Sequence, residues 1–320
     1  GYFIPINSPA IDAIKNRYKC KNPAHAQAYA LRDKGKWVNI PDEHVYACRA
    51  IPLWHEWGGG QMIPRGIDLV DYGLQHIDRT TFPKLRTEDE RLQFSEDIQL
   101  RDYQAEGVDA LVRQSQGLIV APCGAGKTMM GIGAMLRFET RTVILVHTND
   151  LAEQWRQRIE AQVKTETGKV PNVTMWGGSK KDDTGQIVIA MFQSLSKMRF
   201  DDMLEFGKLF GVCIVDEAHH VPATTFSEVM MGMPARIRLA LTATPDRPDG
   251  LSDILYWHFG DTLKRITTPD LIENGNVLAP RVYFHQTYWK PDGQKEWVKM
   301  INDMCFDDDR NLQILSMVND

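Results

Sequence analysis

Five short runs in the last two thirds of the sequence, GLIV (117–120), TVILV (142–146), QIVIA (186–190), VCIV (212–215) and RLALT (238–242), are apolar on nearly every residue instead of on alternate ones. A strand with one face in water alternates; a strand covered on both faces does not. Apolar, β-branched runs of this length, separated by longer helical patterns, belong to a parallel sheet layered between helices. The chain from Gln99 onward is therefore expected to be an α/β domain. In such sheets ligands bind beyond the carboxyl ends of the strands, so chemistry is sought where each run stops.

Two runs stop in unusual sequence. GLIV passes into APCGAGKT (121–128) and then into the helical stretch MMGIGAMLRF. This is the pattern of a phosphate-binding loop, with Ala121 where glycine is usual. Pro122, Cys123, Gly124, Ala125 and Gly126 form the wrap, the two glycines letting backbone N–H groups and the helix start converge on phosphate oxygens. Lys127 adds a point charge at the terminal phosphates, and the Thr128 hydroxyl is a magnesium ligand. The run VCIV ends in DEAHH (216–220), two carboxylates followed by two imidazoles. A metal cluster, an acid/base pair and the solvated end of a strand all compete for this segment. Four consecutive residues cannot all face one ion, which argues against zinc. With ATP and Mg2+ on Lys127 and Thr128, Asp216 at the end of a neighbouring strand becomes the magnesium carboxylate. Glu217, one residue on in an extended chain, is expected on the opposite side, orienting or deprotonating the attacking water. His220 receives no role beyond that of a polar helix start.

The set LRDYQ (100–104), APCGAGKT, VHTNDLAEQW (146–155), FQSL (192–195), DEAH (216–219) and LTATPDRPDG (241–250), in this order, resembles the first motor domain of superfamily 2 helicases, in its XPB-like and UvsW-like group. The resemblance covers about residues 98 to 320. It implies a RecA-like P-loop NTPase domain with a parallel sheet that hydrolyses ATP to move on DNA. Carried over by position, it implies that Gln104 reads the adenine edge with Arg101 beside the base, and that His219 links the nucleotide site to Thr242 and Thr244 of the TAT motif. It further implies that His147, Thr148, Leu151, Gln193 and Ser194 grip the phosphates of one strand without reading sequence. Thr148 and Ser194 also suit helix capping, which uses the same exposed first turn. The family's engine has a second RecA-like domain that supplies arginine fingers. After LAPRVYFHQT (278–287) only EWVKMINDMCFDDDRNLQILSMVND follows, which is like the opening helix of that domain, and no Q-x-x-G-R-x-x-R segment occurs in the sequence. The chain is accordingly expected to be a piece of a longer protein.

The expected division is an α+β accessory, DNA-binding domain at 1–88, the ATP-binding motor domain at 89–280, and a crossover with the start of a second motor domain at 281–320. The acidic stretch TEDERLQFSED (87–97) reads as the linker before the motor. Charge supports the division: residues 1–86 carry 12 Lys and Arg against 8 Asp and Glu, although the whole chain has net charge -5. KNRYKCK (15–21) is expected to hold duplex or junction phosphates, and the Trp54/Trp57 loop to stack on exposed bases. QMIPRGIDLVDYGL (61–74) is similar to an I/L-P-R-G segment that often precedes such motors. Cys20, His25, His44 and Cys48 have loops unlike those of a common zinc finger. Five scattered cysteines and no opening n-region with an apolar h-region point to a reducing, intracellular compartment, a bacterial or phage-infected cytoplasm, and no run is long enough for a bilayer. The reading is an ATP-dependent DNA helicase or translocase on branched or duplex DNA in repair or recombination. A motor subunit of a restriction-type nuclease, an RNA helicase and a non-catalytic scaffold are the alternatives; TAT in place of SAT, and intact Lys127, Asp216 and Glu217, weigh against the last two.

Overall fold

The computed structural model describes residues 2–34, 38–40, 42–51, 55, 57–74, 80–85, 87, 90–217, 219, 221, 223–244, 252–279, 284–286, 289–290 and 296–319. Trp54, Ala218, His220 and the 245–250 half of LTATPDRPDG lie outside the described residues. Gly1–Val277 forms one compact unit and Leu278–Asp320 a second.

The front of the first unit comprises β1 (Tyr2–Pro5), α1 (Ile11–Arg17), β2 (Lys19–Lys21), α2 (Pro23–Asp33), β3 (His44–Tyr46), β4 (Arg49–Ile51) and β5 (Gly60–Ile63). Strand β5 lies between β1 and β4 in an antiparallel sheet, and β2 pairs with β3. Ile4, Ile14, Ile63, Ile67 and Leu69 make its small core. Then come β6 (Leu92–Phe94), α3 (Asp102–Gln114), β7 (Gln116–Val120), α4 (Lys127–Phe138), β8 (Thr142–Val146), α5 (Asn149–Gln162), β9 (Val163–Thr165), β10 (Val173–Gly177), β11 (Lys180–Lys181), β12 (Ile187–Met191), α6 (Phe192–Leu195), α7 (Phe200–Lys208), β13 (Val212–Asp216), α8 (Ala223–Met231), β14 (Ile237–Thr242), α9 (Asp253–Phe259), β15 (Thr262–Arg265) and α10 (Thr268–Glu273). Eight of these strands form one sheet in the order β11-β10-β12-β8-β13-β14-β7-β15, parallel throughout except for β11.

All five apolar runs are strands of this sheet, and the residue parity within each decides its face. Val143, Leu145, Val188, Ala190, Cys213 and Val215 point into a layer with Phe226 and Phe259. Ile144, Val146, Ile187, Ile189, Ile214 and Leu239 point the other way, against Leu111, Met130, Trp155 and Ile159. Each fully buried Ile, Leu or Val side chain contributes about 1.5–3 kcal/mol by leaving water, enough together to offset the ordering of a long parallel sheet.

The stretch 87–97 does not behave as a loose linker. Its LQF forms β6, which pairs antiparallel with β9, while Leu92 and Phe94 pack on the motor core. Upstream, Thr81 and Lys84 make isolated bridges to Ala235 and Thr140. Gln93, Glu96 and Asp97 are exposed, while two apolar side chains at alternate positions bind the strap to the core.

The front packs on the first of the two sheet faces, where Val45, Ile51 and Met62 join the motor's own core. The I-P-R-G segment makes the joint. Arg65 donates to the carbonyls of Ala235 at 2.7 Å and Arg236 at 3.2 Å, and the Gly66 N–H donates to Trp257 O at 2.7 Å. A Cβ on Gly66 would sit 2.4 Å from Tyr256 O and 2.6 Å from Gly260 N, so this close approach requires glycine. Arg49 lies over the Phe200 ring at 4.5 Å, and His55 Nε2 is 3.2 Å from Asp201 Oδ1. In the second unit, α11 (Trp297–Cys305) and α12 (Asp308–Asn319) are helices with exposed Trp297, Phe306, Leu312 and Leu315. Among the described residues no helix is long and apolar enough to cross a membrane, and no three His, Cys, Asp or Glu side chains gather as a metal cluster.

Beneath the front, His258 on α9 is fully buried, its Nε2 3.0 Å from Ser227 Oγ on α8. Burial first, and then the nearby Arg238 charge, hold its imidazole pKa well below the usual value, so the folded protein keeps it neutral. The unfolded chain binds a proton near pH 6.5 that the folded chain refuses. Stability is therefore complete above about pH 6.5 and falls as pH drops below it, by about 1.4 kcal/mol per unit from this group. Urea unfolding from pH 7.5 to 5 is expected to show this slope, and His258→Gln to lack it.

Candidate functional site

The phosphate loop is rooted by the Ala121 N–H donating to Thr242 O at 2.9 Å, which ties it to the adjacent strand β14. Gly124 and Gly126 have φ of 85° and 78°, the left-handed region where a side chain is strained. At Gly126 a Cβ would also lie 2.5 Å from Gln104 Nε2. From Gly126 the chain turns into α4, so that the first-turn N–H groups of Lys127 and Thr128 and the positive helix end face the loop's interior. The Lys127 ammonium lies 3.2 Å from Ala121 O and 3.1 Å from Glu217 Oε1.

Asp216 ends β13 with only 5% of its surface exposed. Burial pushes its carboxyl pKa up and Glu217 adds to that, while the Trp155 N–H and Lys127 oppose it. Oδ2 accepts a hydrogen bond from Trp155 Nε1 at 2.8 Å; Oδ1 is buried with no hydrogen-bond partner. A buried carboxylate oxygen left unpaired is costly, and a hard divalent cation such as magnesium is a partner that this oxygen would fit.

Glu217 does not continue the strand. Its φ is 51°, left-handed backbone, and its N–H donates to Leu241 O at 3.0 Å. The turn swings its carboxylate toward Lys127 instead of placing it on the face opposite Asp216, which corrects the extended-chain expectation. His219 Nδ1 lies 3.3 Å from Glu217 Oε2 and 3.0 Å from Thr242 Oγ1. The Thr242 hydroxyl donates its one proton to Thr244 O at 2.6 Å, so it accepts from His219, which places the imidazole proton on Nδ1. Lys127, Glu217, His219 and Thr242 thus form one connected chain of contacts.

Gln104 and Arg101 sit at the start of α3. The Gln104 carboxamide donates to Ala125 O and accepts from the Arg101 N–H, both at 3.0 Å, so it is committed to bracing the loop. Tyr103, which sequence reasoning passed over, donates from its hydroxyl to the same carbonyl at 3.1 Å. Beside them opens a cleft of about 690 Å³ lined by Arg101, Tyr103, Ile266, Leu271 and Asn276 among others; Gln104 is not in its wall.

The residues read as strand contacts come together at the carboxyl ends of β8 and β12, which are neighbours. Thr148 caps α5, its Oγ1 accepting from the Leu151 N–H at 3.3 Å. Gln193 donates to His147 O at 2.9 Å, and Ser194 Oγ accepts from the Gly178 N–H at 3.3 Å. His147 is half-buried, and Thr148 and Gln193 are exposed. In the front, Lys15 and Arg17 fall in the last turn of α1, and Lys19 and Lys21 at alternate positions of β2. Trp57 is half-buried, its ring 5.3 Å from that of Phe3 and 4.6 Å from that of His55, so it packs within the front.

A parallel sheet with a phosphate loop between β7 and α4 and an Asp-Glu pair at the end of β13, one strand removed from β7, defines a P-loop NTPase core. Residues 97–247 match the family described as Type III restriction enzyme, res subunit. The chain is 33% identical over 195 residues to the DNA 3'-5' translocase XPB2 of Sulfurisphaera tokodaii, covering 61% of this chain and 40% of that protein. It is 28% identical over 253 residues to the putative ATP-dependent RNA helicase L396 of Acanthamoeba polyphaga mimivirus, covering 78% of this chain and 45% of that one. The crystal structure of the UvsW helicase from bacteriophage T4 superposes with a TM-score of 0.53 at 14% identity, over 82% of this chain and 96% of that chain, a likeness of fold. In sequence the segment is similar to helicases and translocases of the XPB-like group, and in fold to a superfamily 2 helicase. The chain spans less than half the length of these curated relatives.

The bracing role of Gln104 has a direct test. Gln104→Glu keeps the oxygen that accepts from Arg101 but sets a second oxygen against Ala125 O. Denaturant unfolding is expected to show a loss of about 1–3 kcal/mol, and Gln104→Met, which lacks the second oxygen, a smaller one.

Proposed function

We propose that this chain carries the ATP-hydrolysing half of a DNA translocase, with residues 1–88 as an accessory DNA-binding domain, 89–280 as the motor domain and 281–320 as the opening of a second one. The observation that carries the reading is the buried, unpaired Asp216 Oδ1 beside a lysine already balanced by Glu217. Phosphates entering the loop draw Lys127 away from Glu217, and the released carboxylate then orients or deprotonates water at the γ-phosphate. Magnesium, held by Asp216 and Thr128, supplies charge neutralisation on the phosphates. Arg101 and the cleft beside it take the nucleoside. His219 passes the state of Glu217 to Thr242 and Thr244. His147, Thr148, Leu151, Gln193 and Ser194 hold one strand through hydroxyl and backbone groups, which suits movement over any sequence. The names of the relatives, DNA translocase and helicase among them, support DNA as the track. Branched DNA in repair or recombination is the substrate we favour. A second motor domain of the same protein supplies the arginine fingers.

The test is ATP turnover by the full-length protein with branched DNA, linear duplex, single strands and RNA; stimulation by RNA alone would move the assignment to an RNA helicase. Lys127→Ala is expected to abolish nucleotide binding or turnover. Glu217→Gln should bind ATP yet lose hydrolysis, and turnover near that of the parent would remove Glu217 from the role of base.

The basic segment of the front has its own measurement. Neutralising Lys15, Arg17, Lys19 and Lys21 should weaken binding to every DNA form and flatten the slope of log affinity against log salt by ~0.9 per lost phosphate contact on duplex. An unchanged slope in folded protein rules this segment out as the DNA-holding surface.

A further inference from the structure

We propose that Trp155 is a positioning residue for the metal-binding carboxylate: its indole N–H fixes Asp216 in the orientation that offers Oδ1 alone to a divalent cation. The idea rests on the reading of the phosphate site proposed for Lys127, Thr128 and Asp216.

Asp216 is buried, and its two oxygens differ. Oδ2 accepts from Trp155 Nε1 at 2.8 Å, a bond buried on both sides, whereas Oδ1 has no hydrogen-bond partner. The chemistry of the donor explains the choice of residue. An indole N–H is a donor only, with no lone pair to ligate an ion and no second proton to reach Oδ1. A hydroxyl or imidazole in the same place has lone pairs and a second orientation, and would compete for the cation. Trp155 therefore takes one oxygen out of play without entering the coordination sphere, and a carboxylate held at one oxygen cannot swing round to chelate through both.

The ring is itself held. Trp155 is 1% exposed and lies between α4 and the sheet. A Cβ on Gly131 would lie 2.5 Å from Trp155 Cη2 and 3.1 Å from Leu241 Cδ1, so the glycine is the notch that seats the indole. Gly131 is one helical turn beyond Lys127 on α4. The helix that opens at the phosphate loop thus also supports the ring that orients the metal carboxylate. Two parts of one site, from segments far apart in sequence, are set in register by a single aromatic side chain. Outer partners of this kind typically govern metal affinity by orienting the ligand.

The experiment uses the 320-residue chain with ADP and Mn2+, an ion read by electron paramagnetic resonance. Trp155→Phe keeps an apolar ring in the notch and removes the N–H. It is expected to weaken Mn2+ binding in the nucleotide complex roughly 10- to 100-fold while leaving metal-free ADP affinity unchanged. Parental Mn2+ affinity in folded Trp155→Phe overturns the proposal, and so does an equal loss of metal-free ADP binding, which would mean general collapse of the site. If the phenylalanine variant does not fold, 3-benzothienylalanine at position 155 replaces the N–H by sulfur in the same shape, with the same expected and overturning results. Failure of the unaltered chain to bind ADP and Mn2+ together would instead overturn the phosphate-site reading beneath it.

Discussion

Covering a parallel sheet on both faces gathers its candidate site residues at the carboxyl ends of the strands, and the strand order then decides which ends meet. In the order β8-β13-β14-β7, the carboxylates at the end of β13 are separated from the phosphate loop after β7 by β14 alone. The TAT residues at the end of β14 are thereby wedged between both. Contacts such as Ala121 N–H to Thr242 O and Glu217 N–H to Leu241 O are consequences of that neighbour relation. No long side chain is needed to join the three motifs.

Within this frame the two acidic residues separate into roles by backbone geometry. Asp216 is the last residue of a fully buried strand and takes the low-polarity position, where its carboxylate needs the Trp155 N–H. Glu217 leaves the strand through a left-handed turn and reaches Lys127 and His219. A conformation of this kind in a non-glycine residue costs about 1–3 kcal/mol and persists where the surroundings enforce it. Here the enforcing bond is Glu217 N–H to Leu241 O, made to the same strand that carries Thr242.

The buried strands were legible because two-sided burial writes itself as an unbroken apolar run, and the phosphate loop because its Gly, Lys and Thr stand at a distinctive spacing between strand and helix. What escaped notice lacked that pressure. Strands β10 and β15 are only partly buried along their length, so VTMWG and TLKR carry no such run. The strap at 92–94 contributes two apolar residues to a core that others define. At the site, motif and spacing gave Lys127, Asp216, Glu217, His219 and Thr242 together, yet the turn at Glu217 and the bracing bonds of Gln104 depend on partners far away in sequence. Trp155 carried no assigned role beyond closing the VHTNDLAEQW motif. Its polar handle matters because it meets Asp216, 61 residues further along, and nothing local to either residue announces that meeting.

Strand β14 also bears on how the front is attached. Arg65 holds the carbonyls of Ala235 and Arg236 immediately before this strand, while Thr242 at its far end contacts His219. Between them six consecutive residues are buried and bonded on both sides, to β13 and β7. A strand held in this way does not stretch or slip by fractions of a residue, since any slip would break both ladders together. Gly66 adds a second anchor on α9, with no room for even a methyl group. The front is therefore built into the rigid half of the motor, referenced to the strand that carries the TAT residues. If the proposed function holds, DNA on the basic segment would stand at a fixed offset from the nucleotide site, and a stroke that moved it would come from elsewhere than this joint.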